Sequence, residues 1–147
     1  MHPVTIVQAA IAAWEAKNTN AFASYLADNF ICQRILPQTA DKAQLLSYIK
    51  ALATAFPDWS FNGRVLFEEY VMEDVWKVLF ATAITATHAG VLILPTLPII
   101  PATGRKIALP NRHLEFSIGH DRITAITADF SPNGLEEVLA HMGLELP

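Results

Sequence analysis

The longest stretch without a charged residue runs from Val78 to Gly104, where no Asp, Glu, Lys or Arg occurs. A membrane-spanning helix needs about 20 mostly apolar residues, so length alone would allow one here. Prolines at positions 95, 98 and 101 argue against it, because proline lacks a backbone donor and breaks a helix interior. The stretch is therefore expected to form buried strands around a proline-rich loop, and no membrane partner is predicted.

Apolar residues recur with two different periods, which divide the chain into leading helices and following strands. Spacings of three and four residues predict helices over residues 3–16, 20–27, 41–55 and 135–142. Alternation and β-rich composition predict strands over residues 30–36, 60–70, 73–87, 105–118 and 122–130. Such segregation is typical of an α+β fold. We expect one domain over residues 1–147, a cone-shaped α+β barrel with N-terminal helices packed on a strongly curved antiparallel sheet.

Composition excludes several classes of protein. Of the 147 residues, 52% are hydrophobic and 16% charged, against about 25% charged in ordinary domains. This argues against a disordered chain and indicates extra apolar surface, such as a cavity wall or a subunit interface. The net charge of −4 and the scattered lysines and arginines argue against a nucleic-acid partner. Cys32 is the single cysteine, so no intrachain disulfide is expected and a reducing cytoplasm is the natural location.

One histidine and one carboxylate are the candidates for acid–base catalysis. If the strands over 105–118 and 122–130 form a hairpin, His113 faces Thr127 and Asp129 is its diagonal neighbour. Diagonal neighbours lie about 7–8 Å apart at Cα, within reach of these side chains. In a mainly apolar pocket the pKa of Asp129 would be raised, and a nearby imidazolium would oppose that shift. Such a pair can remove and return a proton at neutral pH, whereas ordinary surface positions for both residues are the alternative.

Other side chains are candidates for substrate binding. Strict alternation places six residues on one face of the strand over 105–118, namely Arg105, Ile107, Leu109, Asn111, His113 and Glu115. Asn111 and Glu115 could hydrogen-bond a substrate there, and His88 opens the proline-rich loop as a binding or gating residue. A pocket for a hydrophobic ring would be lined by aromatic residues, for which plain core positions are the alternative: Tyr25, Phe30, Phe56, Trp59 and Trp76. No metal site is expected, because neither H-x-H nor H-E-x-x-H spacing occurs.

Two segments carry a recognisable pattern. The first runs from Thr87-His88-Ala89-Gly90 to Pro101-Ala102-Thr103-Gly104-Arg105, and the second joins Asp121-Arg122-Ile123-Thr124 to the ending Leu139-Ala140-His141-Met142-Gly143-Leu144-Glu145-Leu146-Pro147. They resemble the H-x-G, P-A-T-G-R and closing segments of the SnoaL-like polyketide cyclase family, in the nuclear-transport-factor-2-like superfamily. The resemblance implies helices against a curved antiparallel sheet, a homodimer, and no cofactor or metal. It also implies an acidic residue on a late strand near a histidine, for which Asp129 and His113 are the matching positions.

Three functions compete at this point. The first is a cofactor-independent enzyme for aldol-type cyclisation or isomerisation of a hydrophobic carbonyl compound, with Asp129 moving the proton and His113 polarising a carbonyl or tuning Asp129. The second is a non-catalytic protein that binds a hydrophobic small molecule on the same fold. An epoxide hydrolase of the limonene type ranks last, because no Arg-x-Asp lies on a pocket face. The homodimer is expected to form through exposed strands carrying Val75, Leu79 and Phe116.

Overall fold

The computed structural model describes residues 2–95 and 97–144, so Thr96 and the last three residues of the second motif lie outside the described residues. In chain order the elements are α1 Pro3–Glu15, α2 Thr19–Ser24, β1 Leu26–Gln33, β2 Ala40–Asp41, α3 Lys42–Ala55, β3 Arg64–Met72, β4 Val75–Thr82, β5 Thr85–Thr87, β6 Lys106–Ala108, β7 Arg112–Gly119, β8 Arg122–Ala128 and α4 Gly134–His141. No helix among the described residues has the length and apolarity needed to cross a bilayer. The predicted helices agree with these bounds within three residues.

Local chemistry defines helix α3, which carries part of the site. The Asp41 side chain accepts from the backbone N–H of Gln44, and the Gln44 side chain accepts from that of Asp41, both at 2.9 Å. This capping box satisfies donors that a helix N-terminus otherwise leaves free. The helix ends at Ala55, because Pro57 disfavours helical geometry at Phe56. Its buried face faces the core and consists of Leu45, Tyr48, Ile49, Leu52 and Ala55.

The main sheet has six strands in the order β2-β1-β8-β7-β4-β3. Its neighbouring pairs are antiparallel except β1 with β8, which is parallel. The sheet is therefore mixed rather than wholly antiparallel, because the chain passes through α3 and four other strands of this sheet before β8 returns beside β1. Strands β5 and β6 form a separate two-stranded sheet. Helices pack on one face of the curved main sheet, which confirms the α+β cone.

Pro110 divides the strand that alternation predicts over 105–118. It has no N–H for a sheet ladder, and the chain forms β6 before it and β7 after it. The division also changes which face alternate residues share. Leu109 and Leu114 are both buried, at 6% and 2% exposure, although their numbers differ in parity. The prediction that Ile107 and Leu109 share a face with His113 is therefore wrong.

The β7–β8 register differs from the predicted one. Leu114 pairs with Ala128, and one further step of the same register places His113 directly opposite Asp129. The backbone N–H of Asp129 donates to the His113 carbonyl at 3.2 Å, as expected for such a pair. The predicted pairing of His113 with Thr127 is wrong because an irregularity in the middle of the hairpin shifts the register beyond it.

The main sheet has an inner face, which packs on the helices, and an outer face, which points away from them. Inner-face side chains are buried and include Val78, Phe80, Leu114, Phe116, Ile118 and Ile126. Outer-face side chains are half-buried or exposed and include Phe67, Leu79, His113, Glu115, Thr127 and Asp129. Phe116 is 0% exposed, so its predicted part in an exposed dimer contact is wrong.

Candidate functional site

An apolar cavity lies between the inner face and the helices. Its empty volume is about 330 Å³, part of it open to solvent, and the centre of a water molecule has about 20 Å³ to occupy. The lining residues are Trp14, Ile35, Tyr48, Leu52, Trp59, Phe61, Ile84, Leu109, Leu114, Phe130, Gly134 and Val138. Small-molecule sites in proteins are mostly apolar with a few placed polar groups. The cavity therefore suits a small apolar ligand.

Three hydrogen-bonding groups belong to the side chains of this wall, namely the indole N–H groups of Trp14 and Trp59 and the hydroxyl of Tyr48. Tyr48 is 4% exposed, and its hydroxyl makes no hydrogen bond to any described residue. Burial raises the pKa of Tyr48 well above its usual value, so the hydroxyl keeps its proton. The Nε1 atom of Trp59 is buried and has no partner within the described part of the chain. Trp59 Nε1–H is therefore a buried donor without an acceptor, whereas the Tyr48 hydroxyl is a donor that keeps some contact with solvent and has no hydrogen-bond partner among the described residues.

His113 and Asp129 contact each other through two hydrogen bonds. The Asp129 Oδ1 atom accepts from the backbone N–H of His113 at 2.6 Å, and Oδ2 lies 2.9 Å from His113 Nδ1. Because an ionised carboxylate only accepts, Nδ1 carries the proton of this contact. In the neutral imidazole Nε2 is then the acceptor, as in an Asp–His pair in which the carboxylate orients the ring.

The surroundings of Asp129 differ from the predicted apolar pocket. Its side chain is 47% exposed and that of His113 is 43% exposed. Desolvation raises the pKa of Asp129. Hydrogen bonds from His113 and the charges of His113 and Arg112 lower the pKa by a larger amount, so the net shift is downward. The expected raised pKa is therefore wrong. A carboxyl held ionised in this way is a weak general base.

We expect Asp129→Asn to remove a pH-dependent contribution to stability. Folding lowers the pKa of Asp129, so the ionised group stabilises the fold above its unfolded pKa of about 3.9, and the contribution disappears as pH falls through the folded value. The difference in unfolding free energy between wild type and variant should shrink from about pH 5 downward. Urea unfolding at a series of pH values measures it, and an equal difference at neutral and acid pH would contradict it.

The cavity and the His113–Asp129 pair lie on opposite faces of the main sheet. Leu114 and Phe130 line the cavity, whereas their chain neighbours His113 and Asp129 point outward and do not line it. The structure thus brings the predicted pair together but separates it from the apolar pocket. A ligand inside the cavity therefore does not touch His113 or Asp129, because the sheet lies between them.

His88 connects the two halves of the first motif. It is 0% exposed, and its Nδ1 accepts from the Thr103 backbone N–H at 3.3 Å and lies 2.9 Å from Thr103 Oγ1. Its backbone N–H donates to the carbonyl of Arg105, and the Gly104 N–H donates to the His88 carbonyl. Burial lowers the pKa of His88, which favours the neutral ring. These contacts close the base of the loop, and His88 does not line the cavity.

The remaining predicted residues are dispersed. Phe30 and Phe56 are buried in the core, and Tyr25 packs against it. Phe56 and Trp59 also border a smaller cavity beside α1 and α3. Trp76 lies in a polar surface cleft with Pro3, Asp74, Ile118, His120 and Asp121. Asn111 is exposed, and Glu115 pairs with Lys77 on the outer face at 3.5 Å. Of the ten predicted site residues, Trp59 alone lines the large apolar cavity.

Two cavity residues could have been found from the sequence. Tyr48 occupies a core position of α3, three residues after Leu45 and four before Leu52, so a tyrosine hydroxyl in a predicted core face was the available signal. Phe61 also belongs to an alternating segment. The contribution of Val138 depends on where α4 docks, and no local pattern predicts that.

A buried ion pair is a further feature that the sequence did not indicate. Arg112 donates from Nε to both carboxylate oxygens of Glu137, at 3.1 and 3.2 Å, and from Nη2 to Oε2 at 2.7 Å. The Ser131 backbone N–H donates to Oε2 at 3.1 Å. Glu137 is 4% exposed and the Arg112 side chain 26%. The pair joins β7 to α4, the helix that carries Val138 of the cavity wall.

Comparison with models of known protein families identifies the family of this chain. A model of the SnoaL-like domain matches residues 7–126, which is most of the chain. The chain belongs to the SnoaL-like domain family. No curated protein matches it. Within the described residues, no group of three or more His, Cys, Asp or Glu side chains is placed to hold a metal ion.

Solved structures of other proteins share the fold of this chain. A candidate polyketide cyclase from Pseudomonas putida is 17% identical, with a TM-score of 0.64, and the match covers 96% of this chain and 98% of that one. A ketosteroid isomerase-like protein from Erwinia carotovora is 13% identical, with a TM-score of 0.68 and coverage of 84% and 89%. An LEH-like epoxide hydrolase from M. tuberculosis is 10% identical, with a TM-score of 0.56 and coverage of 95% and 91%. At these identities the likeness concerns the fold of this SnoaL-like chain.

Proposed function

We propose that this SnoaL-like protein binds a small hydrophobic, carbonyl-containing compound in the apolar cavity of its inner face. The observation that carries the proposal is the composition of the wall, which contains no His, Asp, Glu, Lys, Arg or Cys side chain among the described residues. Such a wall favours binding over proton transfer, because no group in it titrates near neutral pH. Two similar structures are named for polyketide and ketosteroid compounds, and both classes are hydrophobic and bear carbonyl groups.

Filling the cavity should weaken ligand binding. Leu114→Phe places extra volume in the wall, whereas Leu79→Phe makes the same change on the outer face of the neighbouring strand. We expect acetophenone, a small aromatic ketone, to bind wild type and Leu79→Phe equally and Leu114→Phe at least about 10-fold more weakly, because steric overlap removes the contact surface. Tryptophan fluorescence titration measures this, since Trp14 and Trp59 line the cavity. Equal affinity for the two variants would refute cavity binding.

Acid–base catalysis is a second candidate, favoured by the two-point contact between His113 and Asp129. In this candidate the roles differ from the sequence prediction: Asp129 orients the ring, and His113 Nε2 takes a proton from the carbon next to a carbonyl and then returns one. The substrate would lie against the outer face, as an aldol-type cyclisation or an isomerisation at this pair requires.

Hydrogen–deuterium exchange separates the two candidates. Catalysis predicts faster exchange of the acetophenone methyl protons in D₂O with wild type than with His113→Gln or Asp129→Asn, followed by NMR. Pure binding predicts the same exchange rate with all three proteins.

The homodimer stays a prediction of the sequence. Phe67 is 55% exposed opposite Leu79, and Ile31 is 43% exposed across the same face. These apolar side chains make the outer face the surface on which a second copy would pack, and in that arrangement it would cover the His113–Asp129 pair.

A further inference from the structure

We infer that Tyr48 and Trp59 make the cavity selective for uncharged ligands that carry a hydrogen-bond acceptor, with the two side chains donating to that acceptor. The inference rests on the proposed binding function and assigns its specificity to two residues. It concerns which hydrophobic compounds are bound, and the apolar wall alone does not determine that.

The indole of Trp59 supplies the first donor. Its Nε1–H is buried without a partner within the described residues, and an indole N–H can only donate. A buried donor without an acceptor is destabilising, so a ligand that supplies an acceptor relieves this penalty in addition to its own apolar contacts. The ring is held in place by edge-on packing against Phe56 and Phe61, at centroid distances of 5.9 and 6.0 Å. The donor is therefore already fixed before a ligand arrives.

Tyr48 supplies the second donor. Its ring projects from the buried face of α3, and the hydroxyl makes no hydrogen bond to any described residue. A hydroxyl in this apolar position keeps its proton and so remains a donor at every physiological pH. Both donors belong to the wall of one cavity, and a carbonyl oxygen has two lone pairs with which to accept.

The charge of the wall determines what is rejected. No lysine, arginine or histidine side chain is among the described lining residues, so a carboxylate would enter without a counter-charge. Burying an unpaired charge is far more costly than burying a neutral carbonyl that accepts hydrogen bonds. A hydrocarbon of the same shape would fit but would leave both donors unpaired.

Three probes of similar size test this selectivity on the intact protein. Acetophenone carries a carbonyl, α-methylstyrene replaces the carbonyl oxygen with a CH₂ group, and benzoate carries a charge. We expect acetophenone to bind about 5- to 10-fold more tightly than α-methylstyrene, as a hydrogen bond of ordinary net strength gives, and benzoate to bind most weakly. The Trp59 indole ¹H–¹⁵N signal should move downfield with acetophenone and not with α-methylstyrene.

Two variants assign the effect. Tyr48→Phe removes only the hydroxyl, and Trp59→Phe removes the indole N–H together with part of the wall. Each should reduce the ratio of acetophenone affinity to α-methylstyrene affinity, measured on the same variant. Equal binding of these two probes to wild type, or an unchanged preference in the folded Tyr48→Phe variant, overturns the selectivity and leaves the binding function standing. Failure of both probes to bind overturns the binding function itself.

Discussion

Arg112→Met is expected to lower the free energy of unfolding by about 3–5 kcal/mol, the usual cost of leaving one partner of a buried ion pair alone. The substitution leaves the Glu137 carboxylate 4% exposed, with the Ser131 backbone N–H as its remaining donor. Three N–H···O contacts from the guanidinium are lost together. At about 2–4 °C per kcal/mol for a chain of this size, the melting temperature should fall by roughly 6–20 °C.

The outer face offers a matched control. Lys77 and Glu115 form an ion pair at 3.5 Å whose two side chains are each 45% exposed. Lys77→Met should cost less than about 1 kcal/mol, because solvent already screens that pair. Chemical denaturation of both variants under one set of conditions gives the comparison. Similar losses for the two variants would mean that the Arg112–Glu137 pair contributes no more than a surface pair does.

A double variant separates the cost of an unpaired charge from the value of the pair. In Arg112→Met with Glu137→Leu no charge remains buried, and apolar side chains of similar size occupy the space. Such replacements are often neutral or stabilising. We therefore expect the double variant to recover most of the stability that Arg112→Met loses. Recovery would identify the unpaired carboxylate of Glu137 as the cause of that loss.

The sequence predicts the fold well, because the fold depends on periodicity that each segment carries by itself. Helix α3 is an example: its apolar spacing, the Asp41 cap and Pro57 define it without reference to the rest of the chain. The parallel pairing of β1 with β8 is different. It joins segments that are far apart in sequence, and no local pattern predicts which strand β1 pairs with.

The candidate site was predicted less well, for a reason that can be traced to Pro110. Alternation counted through the proline assigns His113 to the face of Leu109, and so into the pocket. The break between β6 and β7 resets the alternation, and Leu114 takes the inward position instead. The sequence predicts the contact between His113 and Asp129. It does not predict that both side chains lie on the exposed face, because the break at Pro110 changes which residues of the segment point inward.

Gly90 of the H-x-G segment has a purely steric reason to be glycine. A Cβ added there would lie 2.0 Å from the carbonyl oxygen of Thr54, which belongs to the backbone of α3 and not to a flexible side chain. The Gly90 N–H also donates to the carbonyl of Ala55 at 3.1 Å, which fixes the loop against the end of that helix. Glycine at this position of this chain is therefore explained by close packing of two backbones.

Gly90→Ala should consequently destabilise the protein by about 3 kcal/mol, the upper end of the usual cost of overpacking, because backbone rather than a side chain must shift. Gly119→Ala is the control, since its Cβ would meet only the methyl of Thr124 at 3.4 Å, and we expect a change within about 1 kcal/mol. Thermal unfolding of both variants measures the difference. Because α3 also carries Tyr48, a folded Gly90→Ala protein should bind acetophenone more weakly, whereas Gly119→Ala should bind it as wild type does. Undiminished stability of Gly90→Ala would show that the loop can leave α3 without loss, and that the H-x-G segment needs another explanation.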